Sequence, residues 1–239
     1  MTTSEAGPGA DARPGEPRTV LDLSVDLTVT PPARPSDPPG STPVAEAEDL
    51  VHAAVERRLH ALRQQWTRVG ADIAARLRPG VAAAELDAAE DRLGLPIPAA
   101  ARAWWSLVDG VEPVRRRYGR TTPSVGPGGW VPLSLADAVD RVAGGGALGA
   151  PTPPGLLPVF ARTEELLAVR LGHGVAVLEQ LELGDEGDSY QHGWRADLDE
   201  LLRTWADALL AAVIWLPDAH DWVTDPFAVR ALAKPYLID

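Results

Sequence analysis

The chain has 239 residues, 45% of them hydrophobic, a formal net charge of -12 and no cysteine. Disulfides, thiolate metal sites and a cysteine nucleophile are therefore excluded. The acidic balance argues against nucleic acid, whose binders need Lys and Arg to neutralise phosphates. The length allows one large domain, or a medium domain with extensions.

No apolar run approaches the roughly 18 residues of a membrane span. The opening MTTSEAGPGADARPGEP has neither a basic start nor an apolar core, so no secretory signal is expected and the expected compartment is the cytoplasm. Residues 1–17 are expected to be disordered. In 20–29, Leu21, Leu23, Val25, Leu27 and Val29 alternate with polar residues, the period of a half-buried strand. A lone strand is unstable, so it is expected to pair with this domain or with a partner. The segment 31–43 is a proline-rich linker. The predicted organisation is an extension over 1–43, a domain over 44–216 and a tail over 217–239 that packs back onto it.

From Val44 the pattern turns helical. Val51, Val55, Leu59, Leu62, Trp66, Val69, Ile73 and Leu77 recur at steps of three and four. One bent helix is predicted, ending at Pro79–Gly80. A second helix carries Leu86, Ala89 and Leu93, with Gly94 as its left-handed cap. Pro98 suits the first turn of a third helix. There Ala101, Trp104, Trp105 and Val108 share a face, and at least one tryptophan is expected to be buried. Asp109–Gly110 then predicts a turn. Residues 111–129, with Arg115, Arg116, Arg117 and Arg120, are expected to form a polar loop.

Trp130–Leu133 predicts a short strand, and Ser134 with Asp137 a capping box for a helix over Leu135–Val142. The glycine-rich 144–155 is expected to be a loop. Its Gly144-x-Gly146-x-x-Gly149 lacks the strand before and the helix after that a dinucleotide site requires. Strands are predicted at Leu156–Phe160, Leu166–Leu171 and Val175–Leu181, with Gly172-His173-Gly174 as a tight turn. After a charged loop, Asp197 and Glu200 have capping-box spacing. They precede a helix with Leu198, Leu201, Leu202, Trp205, Leu209 and Val213 on one face. Helices first, strands in the middle and a helix last predict an α+β fold, an antiparallel-rich sheet flanked by helices.

No catalytic constellation is recognisable by spacing. His52 and His60 are too far apart for an i, i+4 metal pair. His220 beside Asp221, with Asp218 nearby, is a weak base–orienter arrangement. Glu182, Asp185, Glu186, Asp188 and His192 form an acidic cluster. Oxygen ligands suit a hard cation, but the EF-hand alternation is missing, so a solvated loop or a protein contact fits better. Tyr190 and Trp194 beside it are candidate aromatic anchors for a protein partner. No cofactor and no metal is expected.

The chain resembles the SUKH superfamily, which joins fungal cell-wall synthesis regulators with bacterial toxin-immunity proteins. The resemblance runs over roughly residues 50–213. It is carried by Trp66, Arg78-Pro79-Gly80, Glu90-x-x-Leu93-Gly94-x-x-x-Pro98, Trp104–Trp105 and Asp109-Gly110. It continues through Trp130-Val131-Pro132-Leu133, Leu157-Pro158-Val159-Phe160, the hairpin at 166–181 and the helix with Trp205. Members often carry an acidic residue in the second hairpin strand, where this chain has Leu167-Ala168-Val169-Arg170-Leu171.

The resemblance implies a sheet with flanking helices and binding of another protein without catalysis. A basic toxin domain is one partner it implies; a role in envelope assembly is the alternative. A metal-dependent hydrolase using His192 and His220 is the remaining reading from the residues.

Overall fold

A computed structural model describes residues 44–116, 119–144, 152–163, 165–172, 174, 176–183, 189–211, 213–218 and 221–224, with the backbone alone at 44–45, 115–116, 119–120, 183, 189–195 and 224. These residues all belong to one unit, Thr42–Asp239. The predicted strand at 20–29, the proline-rich linker and most of the loop at 144–155 lie outside the described residues.

The first helix, α1, is Val44–Arg68. Its apolar stripe buries Val55, Leu59, Leu62 and Trp66. The helix is shorter than predicted. Gly70 takes φ +74°, a left-handed conformation that a right-handed helix cannot continue through. A 3-10 turn, Asp72–Ala75, follows, and Leu77 sits on strand β1, Leu77–Pro79.

Helix α2 is Ala83–Leu93, capped as predicted by Gly94 at φ +68°. Helix α3 is Ala99–Leu107, with Pro98 as its N-cap, one residue before the predicted position. Glu90 stitches the break between them. Its Oε1 accepts from the Ile97 N–H at 2.8 Å, and its Oε2 pairs with Arg102 Nη1 at 2.8 Å.

Both Trp104 and Trp105 are fully buried. Asp109 and Gly110 do not form a turn. They lie on strand β2, Val108–Val111, antiparallel to β1. Gly110 adopts φ +82° within the strand, so its freedom shapes the pairing instead of a reversal. Asp109 Oδ1 accepts from the Leu135 N–H at 2.8 Å and so caps the next helix from outside.

The predicted polar loop at 111–129 contains a hairpin. Strands β3, Val114–Arg116, and β4, Gly119–Thr121, pair with Val114 opposite Thr121. Three residues per strand are too few for alternation to stand out from an arginine-rich run. Strand β5 is Val131–Pro132, and helix α4 is Leu135–Val142. The Ser134 hydroxyl accepts from the Asp137 N–H at 3.0 Å, as the capping box predicts.

Strands β6 (Leu156–Arg162), β7 (Glu165–Arg170), β8 (Val177–Leu183) and β9 (Ser189–Asp197) complete a five-stranded sheet. Its order is β5-β6-β7-β8-β9, and every pairing is antiparallel. The β7–β8 connection spans 171–176, longer than a tight turn. Successive residues of β6 and β7 are buried, so both faces of the sheet's centre are covered.

Helix α5 is Leu198–Ala211, and Asp197 accepts from the Asp199 N–H at 2.7 Å at its start. Helix α1 packs against α3 and α5. Phe160 links the layers: its ring lies 5.2 Å from Trp104 and 5.0 Å from Trp205. Val213, predicted on the α5 face, instead begins β10 (Val213–Leu216), which pairs with β11 (Asp221–Thr224). Within that hairpin Trp222 is buried and donates to Ser124 O at 3.0 Å. Residues 225–239 lie outside the described residues.

The domain is thus mixed α+β with antiparallel sheets, as the element order predicts. Among the described residues no helix is long and apolar enough to cross a membrane.

Candidate protein-binding surface

The predicted surface falls at one edge of the five-stranded sheet. Glu182 is exposed near the end of β8. Asp185, Glu186 and Asp188 lie in 184–188, outside the described residues. The charged loop predicted over 184–194 overlaps a nine-residue strand, β9. The charge of the preceding run hides that strand in the sequence.

Tyr190 stands opposite Glu182 in the β8–β9 register. His192 and Trp194 are also on β9. Between the pairs Leu181↔Gln191 and Glu179↔Arg195, β9 carries more residues than β8. This bulge spans His192–Gly193–Trp194. Bulges bend a strand and re-aim its side chains, and they recur at sheet edges next to functional sites. Among the described residues β9 is the last strand of the sheet, with no partner on its far side.

The residues carrying the family resemblance serve structure. Glu90, Gly94 and Pro98 shape the α2–α3 junction, and Leu93 packs partly buried against the core. Trp104 and Trp105 fill the core, while Asp109 and Gly110 join β2 to α4.

A second concave feature lies between α1, α2 and α3. This groove of about 210 Å³ is lined by Glu48, Asp49, His52, Leu86, Arg102 and Ser106, among others. His52 Nε2 is 3.2 Å from Ser106 Oγ, a contact between residues 54 positions apart that no local spacing announces. The Ser106 hydroxyl donates to Ala103 O at 2.8 Å. No carboxylate among the described residues orients His52, so the pair lacks the third group of a nucleophilic triad. Burial opposes charge on Arg102, but hydrogen bonds with Asp87 and Glu90 outweigh it and raise its pKa above the ordinary value. That guanidinium is committed to structure.

Among the described residues no group of three or more His, Asp or Glu is placed to hold a metal ion. His220 and His173 lie outside the described residues. No protein-family model matches the chain, and no curated protein is found to be similar to it.

Proposed function

We propose that this chain is a non-enzymatic protein-binding module of the SUKH type, working in the cytoplasm as an immunity or regulatory protein. The observation that carries this reading is β9, the last strand of the sheet among the described residues. It bears Tyr190, His192 and Trp194 and lies beside exposed Glu182 and the acidic 184–188 segment. An open strand edge offers backbone pairing to an extended segment of a partner. Aromatic residues among charges supply anchors. The net charge of -12 would speed encounter with a basic partner.

The chemistry at the His52–Ser106 contact supports this choice over hydrolysis. The serine also lies within hydrogen-bond distance of Ala103 O, and among the described residues nothing orients the base.

The test is co-expression with the product of the adjacent gene. The expected result is a complex whose association slows as salt rises, with loss of the partner's toxicity where the partner is toxic. If no neighbouring product binds, and a pull-down from the native lysate also yields no partner, the reading is overturned.

A further inference from the structure

The groove between α1, α2 and α3 combines uncommitted negative charge with apolar surface. Glu48 and Asp49 line it and are exposed, and among the described residues neither has an ion-pair partner. They precede His52 on α1 by four and three residues, spacings that put all three on one side of the helix. Helices α2 and α3 contribute buried Leu86 and Ala103 and half-buried Ala99. The cation at the groove, Arg102, pairs with Asp87 and Glu90 at 2.9 and 2.8 Å. Two carboxylates answer one guanidinium, so the groove stays acidic.

A metal ion does not fit this lining. Among the described residues no three His, Asp or Glu side chains are placed to share one. A metabolite fits poorly, because the volume of about 210 Å³ falls below the roughly 300–1,000 Å³ typical of small-molecule sites. A single long basic side chain meets each feature. Its aliphatic stem lies along apolar surface while its charged head reaches outward to the carboxylates.

We propose that this groove receives a lysine or arginine side chain presented by a partner protein. The proposal rests on the protein-binding reading above, but it places this contact on the helices, apart from β9. Glu48 and Asp49 accept charge-assisted hydrogen bonds from the ammonium or guanidinium, which are stronger than neutral ones. Leu86 and Ala103 flank the methylene stem. The net charge of -12 draws a basic partner from a distance, and the groove fixes where one of its cations docks.

The test titrates the full, isotope-labelled chain with a blocked glycine-lysine-glycine tripeptide and follows the backbone amide resonances. Saturable shifts are expected over 48–52 and 99–106. A blocked glycine-norleucine-glycine tripeptide, which keeps the stem and lacks the charge, should produce none. The double variant Glu48→Gln, Asp49→Asn should weaken the lysine peptide about fivefold, whereas the charge-matched Glu112→Gln, Asp218→Asn should change it by less than about twofold. Glu112 and Asp218 are exposed and do not line the groove, and unchanged circular dichroism verifies that both double variants fold. No saturable shift at the groove, an equal response to the norleucine peptide, or equal weakening by the two double variants would each overturn the proposal. Equal weakening would show that diffuse charge attracts the peptide without a defined site. None of these results touches partner binding through β9, so failure of the groove is distinct from failure of the protein-binding reading.

Discussion

Arg170 reaches diagonally from β7 to β8 and grips both oxygens of Glu179, a carboxylate only 2% exposed. The three N–H···O distances are 2.7–2.9 Å. Ala168 is the residue directly opposite Glu179, so the arginine spans one step along the sheet. The basic residue at this strand position thus answers an acid on the next strand. Removing Arg170 leaves a buried carboxylate without this partner. Arg170→Ala should cost about 3 kcal/mol, the lower end for breaking a buried pair because the arginine is partly solvated. The double variant Arg170→Met, Glu179→Leu should recover most of that loss, since the buried charge is removed together with the arginine. Urea denaturation of the two variants decides the matter.

The adjacent tryptophans differ in one hydrogen bond. Trp105 Nε1 donates to Leu133 O at 3.1 Å, whereas the buried Trp104 Nε1 has no partner among the described residues. Truncating either ring to alanine should cost about 3–5 kcal/mol, because each is fully buried. The phenylalanine substitutions should separate them. Trp105→Phe loses a hydrogen bond and strands a carbonyl; Trp104→Phe removes an unsatisfied donor. Trp105→Phe should therefore be less stable than Trp104→Phe by about 1 kcal/mol, measured by chemical denaturation. An equal or reversed order would show that ring volume alone governs this part of the core.

Two glycines should respond to alanine by different routes. A Cβ on Gly80 would fall 1.9 Å from Ser106 O, a backbone atom of α3 that cannot swing away. A Cβ on Gly94 would meet nothing within 4 Å, and only its φ of +68° resists substitution. Gly94→Ala should cost about 1 kcal/mol for the left-handed conformation. Gly80→Ala should cost several times as much, or prevent folding, because strand β1 must leave α3. Thermal melts and soluble yield provide the comparison.

Much of this architecture is legible in the sequence where one local signal acts alone. Gly94 after Leu93 marks a helix end, Ser134 with Asp137 marks a start, and uninterrupted apolar runs mark β6 and β7. The misses occur where a residue type has two meanings. A glycine such as Gly70 can bend a long helix or end it, and here the helix stops at Arg68, just before it. Asp109–Gly110 has the chemistry of a turn, yet Asp109 is engaged by the distant Leu135 N–H, so tertiary demand places both residues on a strand. Val213 continues the spacing of α5, but the helix stops at Ala211 and the chain enters a hairpin that hides Trp215. The candidate surface was legible by composition alone. That β9 is an edge strand follows from its pairing with β8, and its acidic approach conceals strand propensity. The His52–Ser106 contact joins two helices through their packing and has no sequence signature.

Tyr190 stands opposite Glu182 near the end of the β8–β9 pairing, on the last strand of the sheet among the described residues. Its truncation should therefore separate binding from stability. Tyr190→Ala should leave the denaturation midpoint nearly unchanged and weaken partner binding by about 2 kcal/mol or more, expressed mainly as faster dissociation, as for an aromatic anchor. Glu182→Lys should act on the other rate. A charge at the margin of a contact steers encounter, so its reversal should slow association at low salt and have less effect as salt rises and screens the field. Surface-immobilised kinetics with the partner, at two ionic strengths, reads both rates. Tyr190→Ala that lowers stability while leaving binding intact would move the functional surface away from β9. Glu182→Lys with unchanged association at low salt would remove the electrostatic part of the proposal.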